Sequence, residues 1–454
     1  MQTKTVLDLI GNTPMIEVRR MDSGGCRLFL KLESQNPGGS IKDRIGLSMI
    51  DAAEQDGRLR PGGSIIEATA GNTGLGLALV ASQKGYRLTL VVPDKMSREK
   101  IFHLKAMGAE VILTRSDVGK GHPEYYQDLA QRIARETGAF YVNQFGNPAN
   151  PLAHETGTGP EIWEQMGHEV DAVICGVGSG GTLTGLSRFF ARTSPDTEMV
   201  LADPVGSVLA DYVTTGKYGE AGSWVVEGIG EDFVPPIADL SRVKHAYSIS
   251  DEESCNTVRE LLRKEAVLAG SSSGTLIAAA LRYCRGQSAP KRVVTFVCDS
   301  GNKYLSKIFN DYWMIDQGFV RRESHGDLRD LVSRRYEDRA VVTVGPDDKL
   351  MTAYARMKLY DISQLPVLDD AGKVVGIIDE WDLLTAVAGD ADRFRDPVRA
   401  AMSARVETVG IKTPAAALTD LFNRGHVAVV VDEGRFYGLI TRMDVLNHLR
   451  NKAH

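Results

Sequence analysis

The run Gly176-Val-Gly-Ser-Gly-Gly-Thr-Leu-Thr-Gly185 constrains the fold of this chain more than any other feature. It directly follows the short apolar segment Val170–Cys175 and precedes a helix-like pattern of apolar residues. A strand, a glycine-rich loop and a helix in this order bring successive backbone amides together at a helix N-terminus, where they bind anions. The run therefore predicts an α/β fold with a phosphate-binding loop.

Residues 1–316 alternate between β-rich and helix-like segments. Short runs rich in β-branched residues are followed by longer stretches in which apolar residues recur with helical spacing. This alternation predicts a mostly parallel α/β core. Besides Val170–Cys175, the predicted strands are Ser64–Ala68, Arg87–Val92, Glu110–Thr114, Met199–Ala202 and Val293–Val297.

The composition argues against several classes of protein. With 454 residues, 43% hydrophobic and 25% charged, and a net charge of −6, we expect neither a disordered chain nor a partner that is a nucleic acid or a membrane. The apolar runs fall short of the roughly 18 residues of a membrane-spanning helix, and the N-terminal residues lack the pattern of a secretory signal. The five cysteines form no CxxC pair and the nine histidines no HExxH pair. We therefore expect no disulfide framework, no metal site and a cytoplasmic location.

The C-terminal part contains an internal repeat. The segments Val374–Val387 and Phe436–Leu449 share a glycine and an aspartate at matching positions, Gly438 and Asp444 in the second copy. Before the repeat, residues 317–338 carry many charges of both signs and few apolar side chains, which is typical of a solvated linker. These features divide the chain into a core at 1–316, a linker at 317–338 and two similar α/β units at 339–388 and 396–454.

Lys42 is the first candidate for chemistry. It lies in Asn36-Pro-Gly-Gly-Ser-Ile-Lys-Asp-Arg44, where a Pro-Gly-Gly turn leads into a helix and Ser40 is a candidate N-cap. The positive end of the helix dipole and burial both lower the pKa of a lysine in the first turn. Such a lysine can form a Schiff base with an aldehyde. Taken alone, an ordinary surface lysine fits the same pattern.

Two further loops precede helix-like segments. Glu67-Ala-Thr-Ala-Gly-Asn-Thr-Gly74 offers hydroxyls, an amide and backbone N–H groups that suit a carboxylate. An ordinary turn with an asparagine would fit equally well. Gly270-Ser-Ser-Ser-Gly-Thr275 contains serines that could bind a neutral pyridine nitrogen, or simply cap the next helix.

A dinucleotide site is the alternative interpretation of the glycine run. Gly176, Gly178 and Gly181 satisfy G-x-G-x-x-G, and Asp203 follows the next predicted strand, as in enzymes that bind NAD. This interpretation leaves Lys42 and Asn72 without a role.

Taken together, the four loops resemble the fold type II family of pyridoxal-phosphate enzymes, the β-family of serine and cysteine metabolism. The resemblance covers about residues 3–312 and includes Ile10-Gly-Asn-Thr-Pro14 and Asn147-Pro-Ala-Asn-Pro151. It implies two α/β/α domains and pyridoxal 5′-phosphate as the cofactor. The residues that it implies for the cofactor are Lys42 for the aldehyde, Gly178, Ser179, Gly180, Gly181 and Thr182 for the phosphate, Asn72 for the ring hydroxyl and Ser272 for the ring nitrogen.

The resemblance also implies where the substrate binds. The substrate carboxylate would lie on the loop of Thr69, Ala70, Asn72 and Thr73, assisted by Gln144, while Phe145, Gly228 and Tyr304 would line the pocket. Lys42, once released from the cofactor, would remove the substrate α-proton as a general base. Ala70 departs from the serine that is usual in the family, so a role for a hydroxyl near the substrate α-carbon is in doubt here.

The C-terminal repeat resembles a pair of cystathionine β-synthase (CBS) domains over about residues 338–452, forming a Bateman module. The nucleotide motif of these domains, G-h-h-T-x-x-D, stands at Gly438–Asp444. There Thr441 and Asp444 would contact the ribose of S-adenosylmethionine or an adenine nucleotide. In the first copy Asp379 replaces the threonine, which favours the second copy as the ligand site. A pair that binds nothing is the alternative.

Within the family, the sequence is most similar to the cystathionine β-synthases. The segments Glu227–Phe233, Asp94–Lys100 and Asp299–Tyr304 and the attached CBS pair favour this group over the cysteine synthases, which use O-acetylserine and sulfide. The implied reaction replaces the hydroxyl of L-serine by L-homocysteine to give L-cystathionine and water, with hydrogen sulfide as a product when cysteine is used. An inactive core that serves a nucleotide sensor is an alternative of another class.

The resemblance carries two further expectations. A homodimer or homotetramer is the expected assembly. The chain shows no counterpart of the N-terminal haem segment of some animal members, so we expect no haem.

Overall fold

The computed structural model describes residues 5–452 except residues 70, 95, 97, 120 and 321, and for residues 98, 451 and 452 it describes the backbone alone. The chain forms two compact units, one that ends at Phe309 and one that begins at Asn310. In the part of the chain that the structure describes, no helix is long and apolar enough to cross a membrane.

Strands and helices alternate through the first unit. Its strands are β1 (Met15–Glu17), β2 (Arg27–Leu32), β3 (Ser64–Ala68), β4 (Arg87–Pro93), β5 (Glu110–Thr114), β6 (Phe140–Tyr141), β7 (Ala172–Cys175), β8 (Glu198–Pro204), β9 (Val243–Ile249) and β10 (Arg292–Val297). Its helices are α1 (Lys42–Gln55), α2 (Asn72–Lys84), α3 (Arg98–Ala106), α4 (Tyr126–Thr137), α5 (Ala149–Ala153), α6 (Gly159–Gln165), α7 (Gly181–Thr193), α8 (Leu209–Thr215), α9 (Asp251–Glu265) and α10 (Ser271–Arg285).

The strands of the first unit form two sheets. One has the order β1-β2-β10-β7-β8-β9 and is parallel except for the antiparallel pair β1–β2. The other has the order β5-β4-β3-β6 and is parallel throughout. Every residue of β7 is buried, as expected for a strand in a parallel sheet that helices cover on both faces. The predicted α/β fold, with two sheet-containing domains in the core, is confirmed.

A buried cluster of charges fixes the position of α1. The guanidinium of Arg44 makes two-pronged contacts with Glu33, at 2.7 and 2.8 Å, and with Glu161, at 2.7 Å to each oxygen. Glu33 also accepts a hydrogen bond from the hydroxyl of Thr13, and Glu161 one from the amine of Lys31. Because Arg44 is on the first turn of α1, the cluster ties this helix to β2 and α6.

The second unit contains two smaller sheets. The strands β11 (Gln364–Leu368) and β12 (Val374–Asp379) are antiparallel, and β14 (Ala428–Asp432) pairs in parallel with β13 (Thr408–Gly410) and antiparallel with β15 (Arg435–Ile440). The helices are α11 (Asp311–Asp316), α12 (Leu350–Tyr360), α13 (Glu380–Val387), α14 (Ala417–Asn423) and α15 (Arg442–Lys452). Each copy of the repeat has its own apolar core.

The segment before the repeat differs from the expected linker. Leu328, Leu331 and Val332 are 1%, 7% and 1% exposed, and they belong to the apolar core of the second repeat copy. The abundant charges around these three residues hide them in the sequence. Residues 311–316, which we assigned to the core, form α11, and this helix packs against α15 in the second unit.

Candidate active site

Lys42 is the first residue of α1, and α1 begins against the end of β10. The amide of Ile41 donates to the carbonyl of Cys298 at 2.8 Å, and Ser40 pairs with Asp299. Ile41 is the N-cap rather than Ser40, although the Ser40 hydroxyl accepts a hydrogen bond from the Lys42 amide at 3.3 Å. Burial lowers the pKa of the Lys42 amine, as expected, while the nearby Cys298 and Glu231 oppose this shift.

Close backbone contact joins α1 to α2 next to Lys42. A Cβ atom added to Gly76 would lie 2.7 Å from the carbonyl oxygen of Lys42, and one added to Gly46 would lie 2.8 Å from the backbone of Gly76. These distances are shorter than real Cβ contacts, so glycine is needed at both positions. The contact sets the distance between Lys42 and Asn72, which begins α2.

Ser272 lies at the start of α10 and is 5% exposed. Gly270, rather than a serine, is the N-cap of this helix, so the serines are not used as ordinary caps. Burial raises the pKa of the nearby Cys298 thiol to about 12. The Cys298 amide donates to the Ser273 hydroxyl at 2.9 Å, and the Cys298 carbonyl accepts from the Ile41 amide at 2.8 Å. Cys298, which the sequence did not indicate, therefore joins the start of α1, which carries Lys42, to the start of α10, which carries Ser272.

The glycine-rich loop joins β7 to α7. A Cβ atom on Gly178 would lie 2.6 Å from the carbonyl oxygen of Gly228, and one on Gly181 would lie 1.8 Å from the side chain of Asn150. Gly180 has a φ of +88°, which favours glycine, and a Cβ there would lie 2.5 Å from a neighbouring side chain. The loop is thus packed so closely that none of these three positions has room for a side chain.

Two residues that sequence reasoning missed hold the side chains of this loop. Asn150 donates from Nδ2 to the Ser179 hydroxyl at 2.9 Å. The Thr182 hydroxyl lies 3.1 Å from Nε2 of His154, whose other ring nitrogen is 2.9 Å from Thr158. Burial lowers the pKa of His154 far below its usual value, so the ring is neutral and can orient the Thr182 hydroxyl. Asn150 lies in the quoted segment Asn147–Pro151, but nothing in that segment indicates its partner.

The loop before α2 packs against Gln144. The Thr69 hydroxyl accepts a hydrogen bond from the Gly71 amide at 3.1 Å, and the Thr73 hydroxyl donates to the side-chain oxygen of Gln144 at 2.7 Å. Ala70 lies outside the described residues. Glu67, near the end of β3, accepts a hydrogen bond from the backbone amide of Gln144 at 3.3 Å. Burial raises the pKa of the Glu67 carboxyl to about 8. The structure thus brings Thr73 and Gln144 into contact, with Thr69 in the same loop.

The remaining pocket candidates divide into two groups. Phe145 lies beside Phe233, with ring centroids 6.0 Å apart, and Gly228 packs against the glycine-rich loop. Tyr304 is only 1% exposed, and its hydroxyl donates to Asp299 at 2.8 Å. Because this hydroxyl already has partners inside the protein, Tyr304 belongs to the structure behind the pocket rather than to the pocket surface.

Asp203, the residue expected to bind the ribose of a dinucleotide, is not accessible to a ligand. Asp203 is buried, and one of its carboxylate oxygens accepts a hydrogen bond from the amide of Ala210 at 2.9 Å. Burial raises the pKa of Asp203 to about 6. Asp203 is therefore a structural residue that supports the start of α8. Among the residues that the structure describes, no cluster of three or more histidine, cysteine or acidic side chains could hold a metal ion.

Thr441 and Asp444 contact one another at the start of α15. The Thr441 amide and hydroxyl both donate to the same oxygen of Asp444, at 2.7 and 2.6 Å, and the Asp444 amide donates back to the Thr441 hydroxyl at 3.3 Å. The Ser333 hydroxyl occupies the other oxygen of Asp444 at 2.6 Å. In the first copy, Asp379 and Asp382 form the same reciprocal cap. The motif thus has a structural role in both copies.

Comparison with known proteins assigns the family. Residues 6–299 match the pyridoxal-phosphate dependent enzyme family, and residues 329–389 and 398–451 match the CBS domain. A cystathionine beta-synthase of Dictyostelium discoideum is 34% identical over 98% of this chain and 92% of its own length. A cystathionine beta-synthase of Saccharomyces cerevisiae is 33% identical over 98% of this chain and 97% of its own length.

Two solved structures resemble a large part of this chain. A hydrogen sulfide-producing enzyme from Fusobacterium nucleatum, 35% identical, aligns with a TM-score of 0.62 over 67% of this chain and 100% of its own length. O-ureido-L-serine synthase, 31% identical, aligns with a TM-score of 0.64 over 72% of this chain and 98% of its own length. The match to the pyridoxal-phosphate dependent enzyme family supports pyridoxal phosphate rather than a dinucleotide as the cofactor. The chain belongs to the cystathionine β-synthase family of fold type II pyridoxal-phosphate-dependent enzymes and carries a C-terminal pair of CBS domains.

Proposed function

We propose that this chain is a cystathionine β-synthase, which replaces the hydroxyl of L-serine by the sulfur of L-homocysteine to form L-cystathionine and water. The extent of the similarity carries this proposal. The two cystathionine beta-synthases match 98% of the chain, including the CBS pair, whereas the two solved neighbours match 67% and 72% of it. The neighbours support the same class of chemistry on serine-like amino acids.

The residues of the site fit pyridoxal phosphate. The glycine-rich loop has no room for side chains at Gly178, Gly180 and Gly181, and a phosphate group suits such a loop at the N-terminus of α7. In this proposal Gly178, Ser179, Gly180, Gly181 and Thr182 hold the phosphate, Asn72 donates to the ring hydroxyl oxygen, Ser272 contacts the ring nitrogen and Lys42 binds the aldehyde carbon. Pyridoxal phosphate, when bound, supplies an electron-withdrawing ring that stabilises negative charge at the substrate α-carbon.

Lys42 has two roles in the proposed reaction. Its lowered pKa leaves more of the amine unprotonated near neutral pH, which is the form that attacks an aldehyde. Once the substrate amine takes its place, Nζ of Lys42 removes the proton from the substrate α-carbon. Ser272 offers a hydroxyl rather than a carboxylate, so it does not stabilise a positive charge on the ring nitrogen. This arrangement favours loss of the β-hydroxyl over transamination.

The loop before α2 is the proposed site for the substrate carboxylate. Backbone N–H groups at the start of α2 and the hydroxyls of Thr69 and Thr73 surround it, with Gln144 held in place by Thr73 and Glu67. Phe145 and Gly228 would then border the space that the homocysteine side chain enters. The β-hydroxyl leaves with a proton as water, and the homocysteine thiolate adds to the same β-carbon. The overall reaction therefore needs no oxidant.

The decisive test compares substrates on the purified full-length protein. We expect a visible absorbance band from the lysine-bound cofactor, and cystathionine as the main product when L-serine and L-homocysteine are supplied. The variant Lys42→Ala should lose both the band and the product, whereas Lys264→Ala, on the exposed face of α9, should retain them. If O-acetylserine and sulfide give cysteine at a higher rate, the chain is a cysteine synthase. Hydrogen sulfide released from cysteine and homocysteine would add a second activity of the same site.

The CBS pair is the proposed regulatory part of the enzyme. Thr441 and Asp444 in the second copy would contact the ribose of S-adenosylmethionine or an adenine nucleotide. For this contact, some of the hydrogen bonds between Thr441 and Asp444 at the start of α15 must be replaced by hydrogen bonds to the ligand. Titration calorimetry with S-adenosylmethionine, ATP and AMP tests this directly. Binding that Asp444→Asn abolishes would support the assignment, and absence of heat with all three would contradict it.

The proposal includes the setting of the enzyme. The five cysteines are free thiols, which suits a reducing cytoplasm. A homodimer or homotetramer without haem is expected, and light scattering together with the absorbance spectrum of the purified protein would test both points.

A further inference from the structure

A buried chain of hydrogen bonds lies behind Asn72. Nδ2 of Asn72 donates to Oδ2 of Asp299 at 2.7 Å, and the same oxygen accepts from the Tyr304 hydroxyl at 2.8 Å. The Tyr304 hydroxyl in turn accepts from Nζ of Lys100 at 3.2 Å, and this amine also donates to Glu227 at 2.5 Å. Asp299 is fully buried and Tyr304 and Lys100 are each 1% exposed, so the middle of this series of hydrogen bonds is shielded from water.

The chemistry of the partners fixes how the Asn72 amide is turned. The ammonium of Lys303 has three donors, and it uses them on the carbonyls of Gly38 and Gly39 and on Oδ1 of Asn72, the last at 2.9 Å. Because an ammonium only donates, the amide oxygen must face Lys303, and the amide nitrogen must face Asp299. One N–H of Nδ2 is then used by Asp299, and the second has no partner among the described residues.

The direction of the other bonds follows in the same way. Lys100 only donates, so the Tyr304 oxygen accepts from it and the single hydroxyl proton goes to Asp299. Asp299 is therefore the acceptor on which two donors converge, and it determines where both Asn72 and Tyr304 lie. A Cβ on Gly270 would lie 2.0 Å from Asp299 and 2.5 Å from the Tyr304 ring, so the helix that carries Ser272 is packed directly against this pair.

We propose that Asp299 is a positioning residue that holds the Asn72 amide so that its second N–H donates to the ring hydroxyl oxygen of the cofactor, and that Tyr304 and Lys100 hold Asp299 in turn. This inference rests on the proposed cofactor contact of Asn72. It also gives Tyr304 a role different from substrate contact, and it connects α3 to the cofactor site through Lys100.

The test measures cofactor affinity rather than turnover. The dissociation constant of pyridoxal phosphate is obtained by equilibrium dialysis of the full-length holoenzyme against known cofactor concentrations, and the band position of the lysine-bound cofactor is recorded. We expect Asn72→Ala and Asp299→Ala each to weaken binding about ten- to hundredfold, as for loss of a hydrogen bond to a charged oxygen. The double variant should be no weaker than Asn72→Ala alone, because Asp299 acts through Asn72. Asp299→Asn, which retains an acceptor oxygen, should restore most of the affinity.

Tyr304→Phe has a matched control elsewhere in the first unit. The Tyr283 hydroxyl donates to Glu198 at 2.8 Å and accepts from Lys291 at 2.8 Å, and Lys291 lies over the ring as Lys100 lies over that of Tyr304. Tyr283→Phe therefore removes the same hydroxyl from the same kind of lysine–tyrosine–carboxylate chain. Tyr304→Phe should weaken cofactor binding and shift the band, and Tyr283→Phe should change neither.

The outcomes separate this inference from the proposed function. Additive effects of Asn72→Ala and Asp299→Ala, or equal effects of the two tyrosine variants, would overturn the positioning role. Thermal melting of each variant shows whether a weaker affinity reflects loss of folding, and the spectral shift is the readout that lost stability alone would not move. A wild-type protein that binds the cofactor but makes cysteine would change the proposed reaction and leave the inference intact. A wild-type protein that binds no cofactor would refute both.

Discussion

Replacing Arg44 by methionine tests whether the buried charge cluster determines the stability of the catalytic unit. Arg44 is 6% exposed and makes four contacts of 2.7–2.8 Å with Glu33 and Glu161. Methionine fills much of the same volume but leaves both carboxylates short of their main partner. Removing one partner of a buried ion pair costs about 3–5 kcal/mol. In large domains a loss of 1 kcal/mol of stability lowers the melting temperature by about 2–4 °C. At about 2 °C for each kcal/mol, we expect the melting temperature of Arg44→Met to fall by ~6–10 °C.

The assay is thermal unfolding followed by the visible band of the bound cofactor, which reports on the first unit. Arg27→Met is the matched control, because Arg27 makes a similar two-pronged contact with Glu17, at 2.7 and 3.0 Å, but is mostly exposed. Its melting temperature should stay close to that of the wild type. If both variants melt alike, or if Arg44→Met melts as the wild type does, the cluster is not what holds α1 in place.

The pH dependence gives a second check on the same reasoning. Burial alone would raise the pKa of Glu161, but hydrogen bonds from Arg44 and Lys31 outweigh it and hold the pKa at about 2, below the ordinary value of 4.5. A lowered pKa in the folded state contributes stability that is present above pH 4.5 and is lost as the pH falls towards 2. The difference in stability between wild type and Arg44→Met should therefore shrink over this interval.

Three further predictions concern single sites. Gly181→Ala places a Cβ 1.8 Å from the side chain of Asn150, so it should weaken pyridoxal phosphate binding by more than tenfold in equilibrium dialysis; unchanged affinity would show that the loop can move aside. Thr441→Val removes the cap hydroxyl at the start of α15, so it should destabilise the second unit by about 1 kcal/mol in urea unfolding, whether or not a nucleotide binds. Burial raises the pKa of Glu67 from 4.5 to about 8, so its stabilising contribution is complete below pH 4.5 and declines as the pH rises to 8. Melting curves should show this decline in the wild type, and a slope that persists in Glu67→Gln would assign it to another group.

The sequence predicted six strands of the first unit from their short β-rich runs, and it missed β2. Ser64–Ala68 and Glu110–Thr114 have the predicted bounds as β3 and β5. By contrast β2 was not predicted, and two of its six residues, Arg27 and Lys31, are charged. Lys31 is fully buried in the structure, and Glu161, 130 residues later, compensates its charge. A pairing over that distance has no local signature, so a strand that depends on it cannot be read from its own residues.

The site shows the same limit. Loops were recognised from their glycines and hydroxyls, since these residue types are needed wherever a backbone approaches a ligand. The partners that orient them were not recognised, because no local pattern indicates which residues Asn150, His154 and Asp299 contact in other segments. Asp299 was quoted as part of a motif, yet its contact with Asn72 joins residues 227 positions apart and appears only in the folded chain.

The separation of Asn72 from Asp299 also has a consequence for synthesis of the protein on the ribosome. At about 5–20 residues per second, the 227 residues between them take roughly 11–45 s to translate. During this interval the growing chain has Lys42 and the loop before α2 but lacks the acceptor that orients Asn72, so it cannot yet form the complete cofactor site. The second unit begins only at Asn310. Translation therefore completes the residues of the cofactor site before it makes the first CBS strand, and cofactor loading can precede regulation within the life of a single nascent chain.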